Sequence, residues 1–279
     1  MPPSFNGLAV LSLESRRAKE MAALITSHGG RPHVAPSMRE VPLESNSDAL
    51  AAADRIIAGD CDLVILLTGV GTRALLDVVT VARGTAEPLV AALRNTRVAV
   101  RGPKPAGVLR ELQVPVWVTA PEPNTWRELL TAIDARRDER SLAGARVAVQ
   151  EYGESNQDLL DGLASRGAVV TRVPVYRWAL PEDLVPLEVA IRAIAAGELD
   201  VALFTTATQV AHLLQVAARM GLETAVRDGL ARMVTASIGP TTSEELRAQG
   251  FRIDMEPSHP KMGLLVREAA ERAESLRRT

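Results

Sequence analysis

The chain has 279 residues and a formal net charge of −2, with 47% hydrophobic and 3% aromatic residues. This length is enough for two ordinary domains, and the dominance of Ala, Val and Leu over aromatic residues is typical of parallel strands covered by helices, an α/β fold. The charge provides no overall positive field for a nucleic-acid backbone, and no apolar stretch approaches the roughly 20 residues of a membrane-spanning helix. The first residues have neither the charge nor the apolar run of a signal peptide, so we expect a cytoplasmic protein.

Hydrophobic periodicity predicts alternating strands and helices along the whole chain. Up to residue 140, strands are predicted at residues 8–13, from 32, at 63–68, 97–101 and 114–119, and helices at 15–28, 48–58, from about 71, after 103 and at 124–136. Beyond residue 140, strands are predicted at 146–150, within 169–180, at 201–206, 233–238 and 251–255, and helices at 157–166, 184–196, from about 209, after 240 and at 261–276.

The two halves of the chain resemble each other. Residues 62–68 (Asp-Leu-Val-Ile-Leu-Leu-Thr) align with residues 200–206 (Asp-Val-Ala-Leu-Phe-Thr-Thr), and the same shift lays residues 27–36 on residues 165–174. The Gly-Pro pairs at 102–103 and 239–240 fit this alignment with a slip of one residue. We interpret the repeat as two copies of one α/β unit, with the strand ends of both opening into a shared cleft.

Two long extended runs leave the domain division open. The simplest cut separates residues 1–138 from the rest, but residues 32–43 and 169–180 contain no turn signal and are each long enough to pass from one domain to the other. If both runs cross, the first βαβ unit joins the C-terminal segments and the central part forms the second domain. Two adjacent linkers would then form a hinge.

Several familiar kinds of catalytic centre are absent from the sequence. Cys61 is the single cysteine, which excludes an internal disulfide and a cysteine-rich zinc site. Its counterpart in the repeat is Leu199, which disfavours racemases that use one cysteine from each half. There is no nucleotide-binding P-loop, no Gly-x-Ser-x-Gly nucleophile turn and no paired histidine motif among His28, His33, His212 and His259. We therefore predict no cofactor and no metal.

Four turns between a predicted strand and a predicted helix are rich in Gly and Thr. Helix N-termini expose backbone N–H groups and a partial positive charge, and Thr hydroxyls add donors, so these turns are suited to carboxylates or phosphates. The alternative is that the Thr and Gly residues only cap helices. The candidate residues in these turns are Thr68, Gly69, Val70, Lys104, Thr205, Thr206, Thr208, Thr241 and Thr242.

Other candidates lie at the ends of predicted strands. Arg16, Arg101 and Lys104 are placed to pair with substrate carboxylates, or are solvated surface charges. Tyr152 and Gly153 lie in a strand-to-helix turn.

Tyr176 lies in the second long extended run, where the repeat places Met38 opposite it. The two copies therefore differ at this position. A phenol in a hinge beside a cleft is a candidate proton donor, and a tyrosine that packs the linker is the alternative.

An ordered set of short motifs resembles the uroporphyrinogen-III synthase family over essentially the whole chain. Residues 203–210 (Leu-Phe-Thr-Thr-Ala-Thr-Gln-Val) resemble its Phe-Thr-Ser-x-x-Gly-Val turn, and residues 237–246 followed by Gly250 are similar to its Ile-Gly-x-x-Thr helix start. Three further segments resemble its closing Pro-x-x-x-x-Leu element (residues 260–264), its tyrosine segment (residues 173–176) and its first-domain turn (residues 68–71).

The resemblance implies two flavodoxin-like three-layer α/β domains joined by a two-stranded linker, with a cleft between them. One domain would comprise residues 1–38 and 178–279 and the other residues 39–177, with linker strands at about 36–43 and 172–180. It also implies a cofactor-free monomer with no nucleic-acid or membrane partner.

The resemblance further implies that the protein cyclises the linear tetrapyrrole hydroxymethylbilane and inverts its last ring. Tyr176 would assist the departure of water as a general acid, and Thr206, Thr241 and Thr242 would bind substrate carboxylates. Lys104 stands where the family often has threonine, and residues 206–209 lack the glycine of the family turn.

Two other functions remain open from the residues alone. One is a non-catalytic sensor of tetrapyrroles or other anions that uses the same fold. The other is a hinged solute-binding protein, which would require an export signal.

Overall fold

The computed structural model describes residues 3–43, 46–136, 141–151, 153 and 155–277. The chain divides into two compact units, which we call unit 1 (Met1–Arg39 and Ala179–Thr279) and unit 2 (Glu40–Trp178). The family resemblance implied these boundaries one residue earlier, at 38/39 and 177/178. Each unit is a parallel sheet flanked by helices, which confirms the predicted α/β class.

In chain order the elements are β1 (Ala9–Ser12), α1 (Ala18–Ser27), β2 (Arg31–Val34), β3 (Arg39–Pro42), α2 (Ser47–Ile57), β4 (Leu63–Leu66), α3 (Gly69–Arg83), α4 (Glu87–Asn95), β5 (Arg97–Val100), α5 (Pro103–Glu111), β6 (Val118–Thr119), α6 (Trp126–Asp134), β7 (Arg146–Glu151), α7 (Gln157–Ala164), β8 (Val169–Pro174), β9 (Tyr176–Ala179), α8 (Val185–Ala196), β10 (Val201–Phe204), α9 (Ala207–Arg219), α10 (Glu223–Arg232), β11 (Val234–Ser237), α11 (Pro240–Ala248) and α12 (Met262–Leu276).

Unit 1 is built on a four-stranded parallel sheet in the order β11-β10-β1-β2. Its two central strands, β1 and β10, are buried along their whole length because helices cover both faces of the sheet. Side chains of α8, α9 and α10 pack around Leu11 and Phe204 on one face, and side chains of α1 and α12 pack around Val10 and Leu203 on the other. The unit is therefore a three-layer α/β structure.

Unit 2 has a five-stranded parallel sheet in the order β6-β5-β4-β7-β8. Helices α2 to α5 cover the face that carries Val64 and Leu66, and α6 and α7 cover the face that carries Leu63 and Ile65. The order β5-β4-β7-β8 in unit 2 corresponds to the order β11-β10-β1-β2 in unit 1. The two units therefore repeat one strand order.

An aspartate before the central strand has the same role in both units. The Asp62 carboxylate accepts the backbone N–H of Arg146 at 2.8 Å, and the Asp200 carboxylate accepts the backbone N–H of Ala9 at 2.9 Å. Each aspartate also donates its own backbone N–H to the carbonyl of the same residue. These reciprocal bonds align the first residues of two neighbouring strands, which accounts for the repeated aspartate in the sequence.

The two long extended runs are each divided into two strands. Residues 32–43 contribute to β2 and β3, and residues 169–180 contribute β8 and β9. β3 pairs with β9 in a separate two-stranded sheet, located where the chain passes from one unit to the other.

Several predicted elements were wrong. Residues 251–255 form only an isolated bridge between Ala236 and Met255, where the Asp254 side chain binds the backbone N–H of Thr235 at 2.8 Å. The strand predicted at 114–119 is reduced to its last two residues, because Pro115 has no N–H for a sheet. Helices α4 and α10 were not predicted.

No helix within the described ranges combines the length and apolar character required to span a bilayer.

Candidate functional site

The carboxyl edge of the unit 1 sheet has a switch point between β1 and β10. From β1 the chain continues to β2 on one side, whereas β10 leads to β11 on the other side. In open α/β sheets, ligands bind in the crevice at the carboxyl ends of such a strand pair. Glu14 follows β1 at this point, and Thr205 and Thr206 follow β10.

A hydrogen-bonded network organises this switch point. Thr206 and Gln209 form a capping box at the start of α9. The Gln209 side-chain oxygen accepts the backbone N–H groups of Thr205 at 2.8 Å and Thr206 at 3.3 Å. The Gln209 amide donates to the Thr205 hydroxyl at 2.8 Å, and that hydroxyl donates to a Glu14 carboxylate oxygen at 2.7 Å. A hydrogen bond between side chains therefore connects the turn after β1 to the turn after β10.

The remaining threonines of unit 1 differ in accessibility. Thr241 is exposed in the first turn of α11, whereas Thr242 is only 3% exposed and Thr208 only 7%. Thr205 and Thr206 are half-buried. Of the five threonines that the sequence proposed for unit 1, three therefore present a side chain that solvent reaches.

The equivalent switch point of unit 2 lies between β4 and β7. Thr68 caps α3 by accepting the backbone N–H of Gly71 at 3.0 Å. Gly69 and Gly71 are buried, and Val70 is 39% exposed. A Cβ on Gly69 would lie 3.0 Å from the backbone oxygen of Lys104, so the β4–α3 and β5–α5 turns pack closely together.

An amide fills each switch point, but from opposite sides. In unit 1 the amide belongs to Gln209 on helix α9, and the strand β1 carries Ser12. In unit 2 the positions that match in the repeat are Gly71 on the helix and Gln150 on the strand. A Cβ on Gly71 would lie only 2.1 Å from the Gln150 side-chain nitrogen, which shows that Gln150 occupies this space.

Gln150 is 1% exposed and donates its side-chain N–H to the Glu151 carbonyl at 2.5 Å. Its side-chain oxygen is buried and has no hydrogen-bond partner among the residues that the structure describes. Within that part of the chain, the amide of unit 1 is therefore bonded through both its oxygen and its nitrogen, whereas the amide of unit 2 is bonded through its nitrogen.

The remaining basic and turn candidates are dispersed. Arg16 and Lys104 are exposed and Arg101 is half-buried. Tyr152 lies outside the described residues. Gly153 has a φ of +72° and lies against Trp178, where a Cβ would be 1.9 Å from the indole ring. Position 153 therefore requires glycine, both for its left-handed backbone conformation and because no space is left for a side chain.

Tyr176 is 6% exposed and belongs to the core around Val173 and Val175. Its ring meets Trp178 edge to face, with centroids 5.7 Å apart and planes at 85°. The hydroxyl oxygen is buried as well. In this conformation Tyr176 is a packed residue of β9, the strand in which the chain passes from unit 2 to unit 1.

Sequence reasoning missed Glu14, Gln150 and Gln209. Gln209 had a signal, because Thr206 followed by Gln209 has the spacing of a capping box. Glu14 and Gln150 stand at or just after the ends of apolar strands, where a polar side chain at the carboxyl edge indicates a site.

The fold and the turns define a class: a two-unit α/β protein with helix N-termini at the carboxyl edges of both sheets. The family profile described as uroporphyrinogen-III synthase HemD matches residues 19–267. The chain therefore belongs to the uroporphyrinogen-III synthase family, whose enzymes are lyases.

Two individual proteins match the chain over almost its whole length. The chain is 28% identical over 261 residues to an uncharacterised protein, YjjA, of Bacillus subtilis strain 168, covering 92% of this chain and 93% of that protein. A wild-type uroporphyrinogen III synthase structure from the extreme thermophile Thermus thermophilus matches with 27% identity and a TM-score of 0.58, covering 96% of this chain and 98% of that one.

Two further structures match in fold. A mutant of the Thermus enzyme gives a TM-score of 0.72 at 24% identity, covering 96% of this chain and 99% of that one. The uroporphyrinogen-III synthetase of Helicobacter pylori 26695 gives 0.53 at 16% identity, covering 97% and 100%.

Proposed function

We propose that this protein converts hydroxymethylbilane to uroporphyrinogen III, with loss of water and inversion of ring D, in tetrapyrrole biosynthesis. The observation that carries the proposal is the pair of switch points, each with a threonine-capped helix N-terminus at the carboxyl edge of its sheet. A substrate with eight carboxylates requires several such anion-accepting turns.

The chemistry requires mainly that the substrate be held in the right conformation. Uncatalysed closure gives the uninverted isomer, so the protein must bring the substituted carbon of the terminal ring to the opposite end of the chain. Binding of carboxylates by helix N-termini such as those at Thr206 and Thr241 would restrict the bilane to that geometry. Proximity of this kind contributes several kcal/mol in favourable cases, up to about 7–11 kcal/mol.

We propose a secondary role for Tyr176 as the acid that assists the departure of water. Because its hydroxyl is buried, this role requires a rearrangement around β9 when substrate binds. We expect Tyr176→Phe to lower kcat by about tenfold, below the usual contribution of general acid catalysis of about 10²–10⁴-fold, and to leave substrate binding intact. Complete loss of activity with binding intact would contradict this ranking of effects.

The test uses hydroxymethylbilane generated enzymatically in the assay. After incubation with the purified protein, the type I and type III products are oxidised and separated. Excess type III supports the synthase. Only type I, in the amount formed without protein, contradicts it, and tight binding without turnover indicates the alternative, a sensor of tetrapyrroles.

We also propose that the protein acts in the cytoplasm as a monomer, with a small-molecule substrate and without a nucleic-acid or membrane partner. The net charge of −2 supports the absence of a nucleic-acid partner, since it provides no overall positive field for a phosphate backbone. Sedimentation of the purified protein tests the monomer, with a dimer mass as the contrary result.

A further inference from the structure

Three positions of the unit 1 switch point differ together from their counterparts in unit 2. Glu14, Thr205 and Gln209 align in the repeat with Tyr152, Leu67 and Gly71. In unit 1 these three side chains form one hydrogen-bonded chain, from the Gln209 amide through the Thr205 hydroxyl to the Glu14 carboxylate. The network is therefore specific to one of the two copies.

The network ends on a negative charge. Glu14 is half-buried and accepts hydrogen bonds from the Thr205 hydroxyl at 2.7 Å and the Arg17 backbone N–H at 3.3 Å. Both donors are uncharged, so they orient the carboxylate without neutralising it. Stabilisation of a carboxylate by fixed neutral dipoles keeps its charge available to a ligand.

This charge is unexpected in a site for a polyanion. Thr206, the neighbour of Thr205, caps α9 and presents the kind of turn that accepts a carboxylate. A substrate carboxylate placed beside Glu14 would be repelled by it. The part of the ligand that faces Glu14 must therefore be a hydrogen-bond donor or a cation.

We propose that Glu14 is a catalytic residue of the reaction proposed above, on which this inference rests. Its carboxylate accepts the N–H of the substrate pyrrole ring that carries the hydroxymethyl group. Thr205 and Gln209 are positioning residues, which hold the carboxylate at the switch point.

The charges that develop during the reaction explain why a carboxylate beside this ring N–H would assist it. When the C–O bond of the hydroxymethyl group breaks, its electron pair leaves on oxygen, and one proton converts the leaving group to water. The pyrrole nitrogen supplies electron density to the remaining carbon, so the ring becomes cationic and its N–H becomes a stronger donor. A proton is released later, when the terminal ring regains its aromaticity, and no redox partner is needed.

Because the positive charge develops only as the bond breaks, the Glu14 interaction is stronger in the transition state than in the bound substrate. Interactions of this kind raise kcat and leave KM almost unchanged. Removal of a single preorganised charge or donor in such a site costs about 10²–10³ in kcat in well-studied enzymes, and a half-buried group is worth less.

The test compares Glu14→Gln with Glu20→Gln, a control on helix α1 whose exposed carboxylate pairs with Arg17. We expect Glu14→Gln to lower kcat about tenfold to a hundredfold with KM unchanged or reduced, and Glu20→Gln to match the wild type. The fraction of type I product should rise, since the released bilane closes spontaneously. A kcat within about twofold of the wild type overturns the proposal.

Two further variants guard against a folding defect. Glu14→Ala should lose activity and regain part of it with added formate, which a purely structural role would not produce. Thr205→Val should lower kcat in the wild-type background but have little further effect in Glu14→Gln, because it acts through Glu14. Equal effects of Thr205→Val in both backgrounds contradict the positioning role.

Failure of this inference is distinct from failure of the proposed function. If wild-type protein gives no excess of type III product, the function itself is wrong. If wild-type protein gives type III product and Glu14→Gln does so equally fast, only the role of Glu14 is wrong.

Discussion

Replacement of Gly71 by alanine tests how tightly the unit 2 switch point is packed. A Cβ at this position would lie 2.1 Å from the Gln150 side-chain nitrogen and 2.8 Å from its oxygen. Gln150 is long and flexible, but it is 1% exposed and has little space into which it can move. The clash must therefore displace the amide from its bond to the Glu151 carbonyl.

The magnitude follows from three contributions. Overpacking in a dense core costs about 1–3 kcal/mol, and loss of the amide hydrogen bond costs about 1 kcal/mol. Replacing glycine by alanine within a helix returns about 1 kcal/mol. We expect a net loss in the free energy of unfolding of roughly 1–3 kcal/mol, which lowers the melting temperature by about 2–4 °C for each kcal/mol.

The assay is tryptophan fluorescence during denaturation with urea. All three tryptophans, Trp117, Trp126 and Trp178, lie in unit 2, so the signal reports the unit that carries the substitution. Gly107→Ala is the matched control, because Gly107 is also within a helix of unit 2 and a Cβ there meets no atom of the described residues within 4 Å. We expect that control to gain up to about 1 kcal/mol.

A double-mutant cycle identifies the cause. In a Gln150→Ala background the clash is absent, so Gly71→Ala should become neutral or stabilising. If Gly71→Ala is as stable as Gly107→Ala in the wild-type background, or lowers stability equally with and without Gln150, the packing argument is refuted.

Three other substitutions or probes test separate features. Gly229→Ala should destabilise unit 1 by about 3 kcal/mol or more in melting followed by circular dichroism, because its Cβ would lie 2.3 Å from a backbone oxygen of α8 that cannot move aside. Gly263→Ala, with open space around it among the described residues, should not. Hydrogen bonds from Arg146 hold the pKa of Asp62 below its usual value, so the stability that this pair provides is present above about pH 4 and is lost as the pH falls through the lowered pKa. Asp62→Asn should therefore be less stable than the wild type by about 0.5–1 kcal/mol at pH 7, and an undiminished difference at pH 2 would contradict this. Burial raises the pKa of the Cys61 thiol, so a thiol reagent at pH 8 should label native protein much more slowly than denatured protein, and equal rates would show that the site is open.

Local patterns predicted most of the helices and strands because each has its own periodicity or end signal. Helices α4 and α10 were not predicted. In each case one helix, α3 or α9, had already been predicted between the two strands, and a single helix is enough to connect them. It also extended the strand at 114–119 over Pro115, because alternation of apolar residues does not report a missing N–H.

The role of the site residues stays a prediction. The turns at Thr68 and Thr206 cap helices at the carboxyl edges of their sheets, which is the structural alternative that their composition allowed, and substrate binding by these turns is a proposal. Thr242 is buried, which no local signal revealed. The position of Glu14 after an apolar strand was a local signal, but its hydrogen bond to Thr205 could not be predicted, because the two residues are 191 positions apart in the chain.

The sequence by itself determined the duplication, the α/β class and the family, since these depend on residue order and on periodicities within short segments. The tertiary structure decided which strands become neighbours, and thereby brought the turn after β1 to the turn after β10 and Gln150 to Gly71. Such pairings depend on the burial of whole sheet faces and on close packing between distant segments, and neither property can be calculated from any one stretch of the chain.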